Sequence, residues 1–151
     1  MTVRVQREDF DTGKELDRMT AGQTQIGAVV TFTGLVRDFA DAKDGVQRMT
    51  LEHYPGMTQR QLETIVAEAR HRWPLDDCLV IHRYGELMPG DRIVLVITAS
   101  AHRQAAFEAG AFLVDWLKTK APFWKLEEDG GQRRWVEAKA SDDEAASRWN
   151  R

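Results

Sequence analysis

Two lysines, Lys118 and Lys125, flank a proline in the stretch Asp115-Trp116-Leu117-Lys118-Thr119-Lys120-Ala121-Pro122-Phe123-Trp124-Lys125. An amine held among Trp116, Phe123 and Trp124 loses part of its hydration, which disfavours the charged form and makes it usable as a base or nucleophile at neutral pH. The spacing also admits a plainer reading. Gln104, Glu108, Ala111, Asp115 and Lys118 recur at three and four residues, as on a solvent-facing helical stripe where Lys118 pairs with Asp115. Further cations lie upstream: His102 and Arg103 are expected in the first turn of a long helix, where free N–H groups and the helix dipole attract phosphate or carboxylate. Arg37 closes a β-branched run.

The elements that must position these residues follow from local pattern. Pro122 has no N–H and pushes Ala121 out of the helical region, so a helix capped by Ser100 and running from Ala101 should stop near Lys120. Ile26 to Arg37 is rich in β-branched residues and reads as a buried strand that bends near Gly34. Arg48 to Tyr54 alternates as a strand. Thr58 with Gln61 makes a capping box for a helix whose apolar face is Leu62, Ile65, Val66, Ala69 and Trp73, ended by Pro74. Leu79 to Tyr84 and Ile93 to Ala99 are strands expected in one sheet, joined by the loop Gly85 to Asp91. Val3 and Val5 suggest a short first strand and Glu8 to Met19 a brief helix. Arg134 to Ala138 reads as a strand, and Ser141 with Glu144 as a capping box for a last short helix. Asp38 to Gly45 is polar and aperiodic and is expected as a loop. Strands alternating with helices imply an α+β (mixed α/β) fold, a mixed sheet with helices packed on it, in one domain over residues 1–151.

Composition narrows the function. With 151 residues, 42% hydrophobic and 30% charged, the chain has the makeup of a globular domain, and no apolar run approaches the ~20 residues of a membrane span. The N-terminus lacks the pattern of a signal peptide, so the cytoplasm is the expected location. A net charge of −3 argues against broad nucleic-acid binding. The lone Cys78 sits in an apolar run and permits no internal disulfide. His53, His71, His82 and His102 show no metal-site spacing, so no metal and no cofactor is expected.

Gly27 to Gly34 with Arg37, then Leu51-Glu52-His53-Tyr54-Pro55-Gly56-Met57, Ile81-His82-Arg83, Gly85-Glu86-Leu87, Pro89-Gly90-Asp91, Ser100-Ala101-His102-Arg103, Ala106 to Gly110 and Lys118 to Lys125 together resemble the large, catalytic subunits of molybdopterin synthases. So many ordered blocks, spanning roughly Ile26 to Trp149, are far more specific than any one short motif. The resemblance implies an α/β hammerhead-type fold and a homodimer of large subunits, with a small ubiquitin-like subunit at each outer end, a heterotetramer in all. It implies sulfur transfer in molybdenum cofactor biosynthesis. The small subunit's C-terminal Gly-Gly thiocarboxylate would supply two sulfurs that convert cyclic pyranopterin monophosphate (precursor Z) to the molybdopterin dithiolene. This chain has Gly130-Gly131 only internally, and it is not expected to be the donor.

By position, the family's substrate contacts fall on Leu35, Val36 and Arg37, on His102 and Arg103, on Lys118, and on Lys125, Leu126 and Glu127. Arg37, His102 and Arg103 would neutralise the phosphate, and Lys118 and Lys125 would carry the chemistry. Two other readings use the same residues: a non-catalytic module that binds a ubiquitin-like tail, and a lysine Schiff-base enzyme acting on a phosphorylated carbonyl compound.

Overall fold

The run Ile93-Val94-Leu95-Val96-Ile97-Thr98-Ala99 has apolar side chains on both strand faces, so it is stable only between two covered faces. The computed structural model describes residues 1–38, 47–121, 123–129, 132–136, 144 and 147–150, and it puts this run at the centre. Strand β6 (Arg92–Ser100) lies antiparallel between β4 (Leu75–Arg83) and β2 (Ala28–Leu35), and β1 (Thr2–Gln6) joins the far side of β4 in parallel. Helices α2 (Met57–Arg72) and α3 (Arg103–Thr119) cover one face, where Ile65, Val66 and Ala69 meet Cys78, Val80, Val94, Val96, Phe112 and Leu113. On the other face Phe10 and Met19, at the two ends of the α1 (Thr12–Thr20) segment, pack on Leu79, Ile81, Leu95 and Ile97. Alternate residues of β4 and β6 thus enter different clusters, as the period of two requires.

The α+β composition is as expected, but the strands form two sheets. Gly85 at φ +89°, a conformation that side chains disfavour, swings the chain out of β4. It then forms β5 (Gly85–Leu87) instead of a plain loop. A second antiparallel sheet follows in the order β5, β3 (Gln47–His53), β7 (Phe123–Asp129), β8 (Gln132–Val136). Val36, Met49, Leu51 and Leu87 make its core.

Other corrections concern ends of elements. Thr58 does not cap α2. Gly56 at φ +81° occupies that position, and the wholly buried Thr58 uses its hydroxyl to accept the Tyr54 N–H at 3.2 Å. Ser100 is the last residue of β6, and its hydroxyl donates to the Pro74 carbonyl at 2.7 Å, so α3 starts later, with His102 as N-cap. Helix α1 begins at Thr12, where the Asp11 carboxylate accepts the Lys14 N–H at 3.1 Å. β2 is partly exposed rather than buried, and its register shifts between Gly34 and Leu35. The Asp38 to Gly45 loop beyond Asp38 and the Ser141 capping position lie outside the described residues.

The two sheets are joined by rings. Phe123 of β7 lies over His82 of β4 with centroids 3.8 Å apart and planes 15° apart. His53 of β3 stands 6.0 Å from Phe123 and 4.2 Å from Tyr84. The His82 Nδ1 is 2.8 Å from the Arg83 carbonyl oxygen; a carbonyl only accepts, so Nδ1 carries the proton. Burial, with smaller contributions from the Lys118 and His53 charges and against the Arg83 hydrogen bond, pushes His82 down to about 4.

Two outcomes follow from this packing. Below an ordinary histidine value of 6.5 the unfolded chain takes up a proton that native His82 refuses until about 4, so stability falls as pH drops through that window. The loss is about 3 kcal/mol at its fullest, and urea midpoints should fall accordingly, with a flatter profile in His82→Gln. A Cβ at Gly27 would collide with the Ala101 carbonyl oxygen, beside the Gly27 N–H bond to the Ser100 carbonyl. Gly27→Ala should therefore cost about 1–3 kcal/mol, read as a lower melting temperature.

Candidate functional site

Helix α3 is the arm that carries Lys118. Its inner face is small, with Ala105, Ala106, Ala109 and Gly110 all buried, so it lies close on the sheet. The Thr98 hydroxyl donates to the Ala106 carbonyl at 2.6 Å, and a side chain at Gly110 would meet Thr98 and Val30. From there the helix runs back along β6. Phe112 and Leu113 reach Val94 and Val96, and Lys118 comes beside His82, which pairs with Val94. The Lys120 N–H closes the last turn on the Trp116 carbonyl at 2.8 Å, and the Phe123 N–H bonds the Ala121 carbonyl at 2.8 Å as the chain turns into β7.

Lys118 is exposed in the last turn, and its expected partner is taken. The Asp115 carboxylate accepts from Trp149 Nε1 at 2.6 Å and from Arg148 at 2.8 Å, and among the described residues Lys118 makes no ion pair. The expected enclosure by Trp116 is also absent, because that ring packs toward α2, near Ile65 and Trp149. The aromatic surface beside Lys118 belongs to Phe123 and His82.

Lys125 lies two residues beyond Phe123 on the same face of β7, opposite Leu51, and is half-buried. Glu127 shares that face. Leu126 does not, because successive strand side chains point to opposite faces, and it is buried. Of the three consecutive residues 125 to 127, only the first and third are aimed together.

Arg37 is held at this same end by its neighbours. The Val36 N–H donates to the Asp91 carbonyl at 2.8 Å and the Gly90 N–H to the Val36 carbonyl at 2.6 Å. Val36 is 4% exposed and packs in the second core, so its side chain anchors and cannot touch a substrate, whereas Leu35 is 56% exposed and Arg37 is open to solvent.

His102 and Arg103 are exposed as well, but at the opposite end. From 103 to 118 the α3 axis rises about 22 Å. Arg37 follows Leu35, which pairs with Arg92, while the opposite end of β6, Ser100, leads into His102, roughly 27 Å along the strand. The expected phosphate trio is therefore split within one chain, with Arg37 at the lysine end of the sheet and His102 with Arg103 remote from it.

Sequence reasoning passed over His82, His53 and Tyr84. A histidine closing the apolar run Leu79-Val80-Ile81 was the available signal, since a polar ring in a core strand needs a reason to be there. Burial pulls His53 below the ordinary histidine value, with Glu52 opposing and the cation of Arg7, which lies 4.9 Å over the Tyr84 ring, assisting. Burial pushes the Cys78 thiol up to about 12, which leaves it unreactive. Among the described residues no three His, Cys, Asp or Glu side chains group to hold a metal ion, and no helix is long and apolar enough to cross a membrane.

The sequence and the fold recur in known proteins. The family model described as MoaE protein matches residues 5–120. A molybdopterin synthase catalytic subunit from Mesorhizobium japonicum is 54% identical over 150 residues, 98% of this chain and 92% of that one. Its counterpart from Escherichia coli is 56% identical over 142 residues, 94% of this chain and 93% of that one. Among solved structures, molybdopterin cofactor biosynthesis protein E from Burkholderia multivorans superposes with a TM-score of 0.82 at 48% identity, covering 99% of this chain and 97% of that one. The molybdopterin synthase structure from Staphylococcus aureus gives 0.77 at 30% identity over 88% of this chain and 95% of that one. With a family model spanning most of its length and relatives above half identity over nearly all of it, this chain belongs to the MoaE family.

Proposed function

We propose that this chain acts as the catalytic subunit of a molybdopterin synthase, moving sulfur from the thiocarboxylate of a small ubiquitin-like subunit onto cyclic pyranopterin monophosphate to form the dithiolene. What supports the reading is that Lys118 and Lys125 lie by the Phe123–His82 stack and that Arg37 follows the strand end on the same side of the sheet. Each sulfur forms a carbon–sulfur bond to a side-chain carbon of the pterin as that carbon loses its bond to oxygen, which leaves protonated. The sulfur's bond to the carrier's acyl carbon breaks as water restores the carrier carboxylate. Negative charge enters with the thiocarboxylate and protons must move as oxygen leaves, so one ammonium and one neutral amine suit the task. In this reading Lys125 steadies the anion and Lys118 takes the proton. The unreactive Cys78 gives the chain no sulfur of its own to transfer.

Substrate phosphate would be met by Arg37. His102 and Arg103 lie too far along α3 to reach the same pterin, so they would serve the site of a second copy. A two-fold homodimer supplies that arrangement, with His102 and Arg103 of the partner subunit closing each site. Such closure, together with the small subunit's tail, would supply the desolvation that exposed Lys118 lacks in the single chain. Two large and two small subunits then make the assembly. The family's biosynthetic role suits a cytoplasmic location.

Lys118→Ala should lower turnover by about a hundredfold or more while the melting temperature and small-subunit affinity stay near wild type, since an exposed helix-end cation contributes under ~1 kcal/mol to stability. Lys118→Arg should fail too, because a guanidinium stays charged. Both are read by mass spectrometry of the dithiolene product from precursor and thiocarboxylated small subunit. Retained activity in Lys118→Arg would reduce the role to electrostatics, and retained activity in Lys118→Ala would remove it.

A further inference from the structure

Asp115 stands one turn before Lys118, at the spacing where a carboxylate and an ammonium pair across a helix surface. The pair does not form. The Asp115 side chain is 15% exposed, and its Oδ2 accepts from both Trp149 Nε1 and Arg148, at 2.6 and 2.8 Å. Trp149 is itself fixed independently of Asp115. Its ring stands edge-on to Trp73 and to Phe112, each at 5.6 Å, and its carbonyl accepts from Arg72 at 2.9 Å. These contacts tie Trp149 to Trp73 and to both helices, with its indole N–H on the Asp115 carboxylate.

We propose that Trp149 and Arg148 are positioning residues for the sulfur-transfer reaction: by holding the Asp115 carboxylate, they keep it from pairing with Lys118 and leave the amine available as proton acceptor. The inference rests on the reading of Lys118 as that acceptor. Released, the Asp115 carboxylate would hold the Lys118 amine in its charged form to higher pH and tether it away from the substrate. Among the described residues, the other charged groups around the pair are engaged or unable to substitute. Glu108 of α3 accepts from the Trp73 indole at 2.8 Å, and Arg72 of α2 is bonded to Glu68 at 2.9 Å. Lys120 lines a small hollow of about 160 Å³ between α2 and α3, which Trp149 also borders. Across from Lys118, His82 of β4 stays neutral above about pH 4 because it is buried, with His53 of β3 behind it and Lys125 on the neighbouring β7. Asp115 is thus the carboxylate one turn from the amine, and the clasp decides which cation it meets.

The test is the pH dependence of kcat/KM in the full complex with the thiocarboxylated small subunit. In Arg148→Met/Trp149→Phe, which keeps an aromatic ring in place while removing both donors, the rise in rate with pH should move to higher pH by roughly a third of a unit, about a twofold loss of rate on that limb. Adding Asp115→Asn should return the limb to its wild-type position, because a neutral amide does not hold the amine charged. Arg148→Met alone, which leaves the indole in place, should shift the limb in the same direction by less. A limb that does not move, or that moves and is not restored by Asp115→Asn, overturns the proposal. Lys118→Ala separates the two ideas: a variant with full rate and an unchanged limb would overturn the reading of Lys118 itself and the clasp with it, whereas an inactive Lys118→Ala beside an unmoved limb in the double variant would overturn the clasp alone.

Discussion

The face of Phe123 resting on His82 is the contact on which the lysine end of the molecule depends. His82 closes a strand of the first sheet and Phe123 opens a strand of the second, so the 3.8 Å stack fixes one sheet against the other. Lys118 leaves α3 just before that stack and Lys125 follows it on the same strand face. The ring can stack tightly because His82 is uncharged: its Nδ1 proton is committed to the Arg83 carbonyl and burial keeps a second proton off. A charged imidazole there would repel the very amine it supports. Neutrality of one buried ring and availability of one exposed amine are thus parts of the same arrangement.

Helix α3 sets the second constraint. A straight helix keeps its ends apart, and the backbone of Arg103 is about 22 Å along the axis from that of Lys118. Rigidity is built in by the small residues facing β6 and β2 and by the Thr98 hydroxyl on the Ala106 carbonyl. The chain therefore presents two cationic surfaces that no single small anion can bridge. The proposed two-fold association would resolve this without bending anything, by setting one end of α3 in one copy against the other end in the next. It would also account for the exposure of Lys118, whose missing walls would come from other chains.

Local pattern revealed those parts of the structure that are local. Leu62, Ile65, Val66 and Ala69 repeat at helical spacing and are buried as that spacing requires, and the apolar runs of β4 and β6 form the central pair. Pro122 marked the end of α3 to within a residue or two. What stayed hidden depends on partners distant in the chain. β3 and β7 are far apart in sequence and β5 is only three residues long, so nothing in their own composition assigned them to a second sheet. Thr58 and Ser100 have the chemistry of caps, but tertiary contacts with Tyr54 and Pro74 claim their hydroxyls. The lysines and Arg37 were legible as candidates. Their separation from His102 and Arg103 was not, because charge and motif say nothing about which end of a sheet a residue reaches. Likewise Asp115 looked like the natural partner of Lys118 until Trp149 and Arg148 were found to hold it.

The central claim, that each reaction centre combines the lysine end of one copy with the basic helix start of another, is tested by mixing two inactive variants. Lys118→Ala and Arg103→Ala, co-expressed so that dimers form at random, would give mixed dimers in about half the population. Each mixed dimer would hold one site with both defects and one with neither, so dithiolene formation should recover to about a quarter of the wild-type rate. Recovery to that level from two variants that are each inactive as pure dimers is the result expected. No activity in the purified mixed dimer would contradict the account, because it would mean that Lys118 and Arg103 act within one chain or not in one site at all.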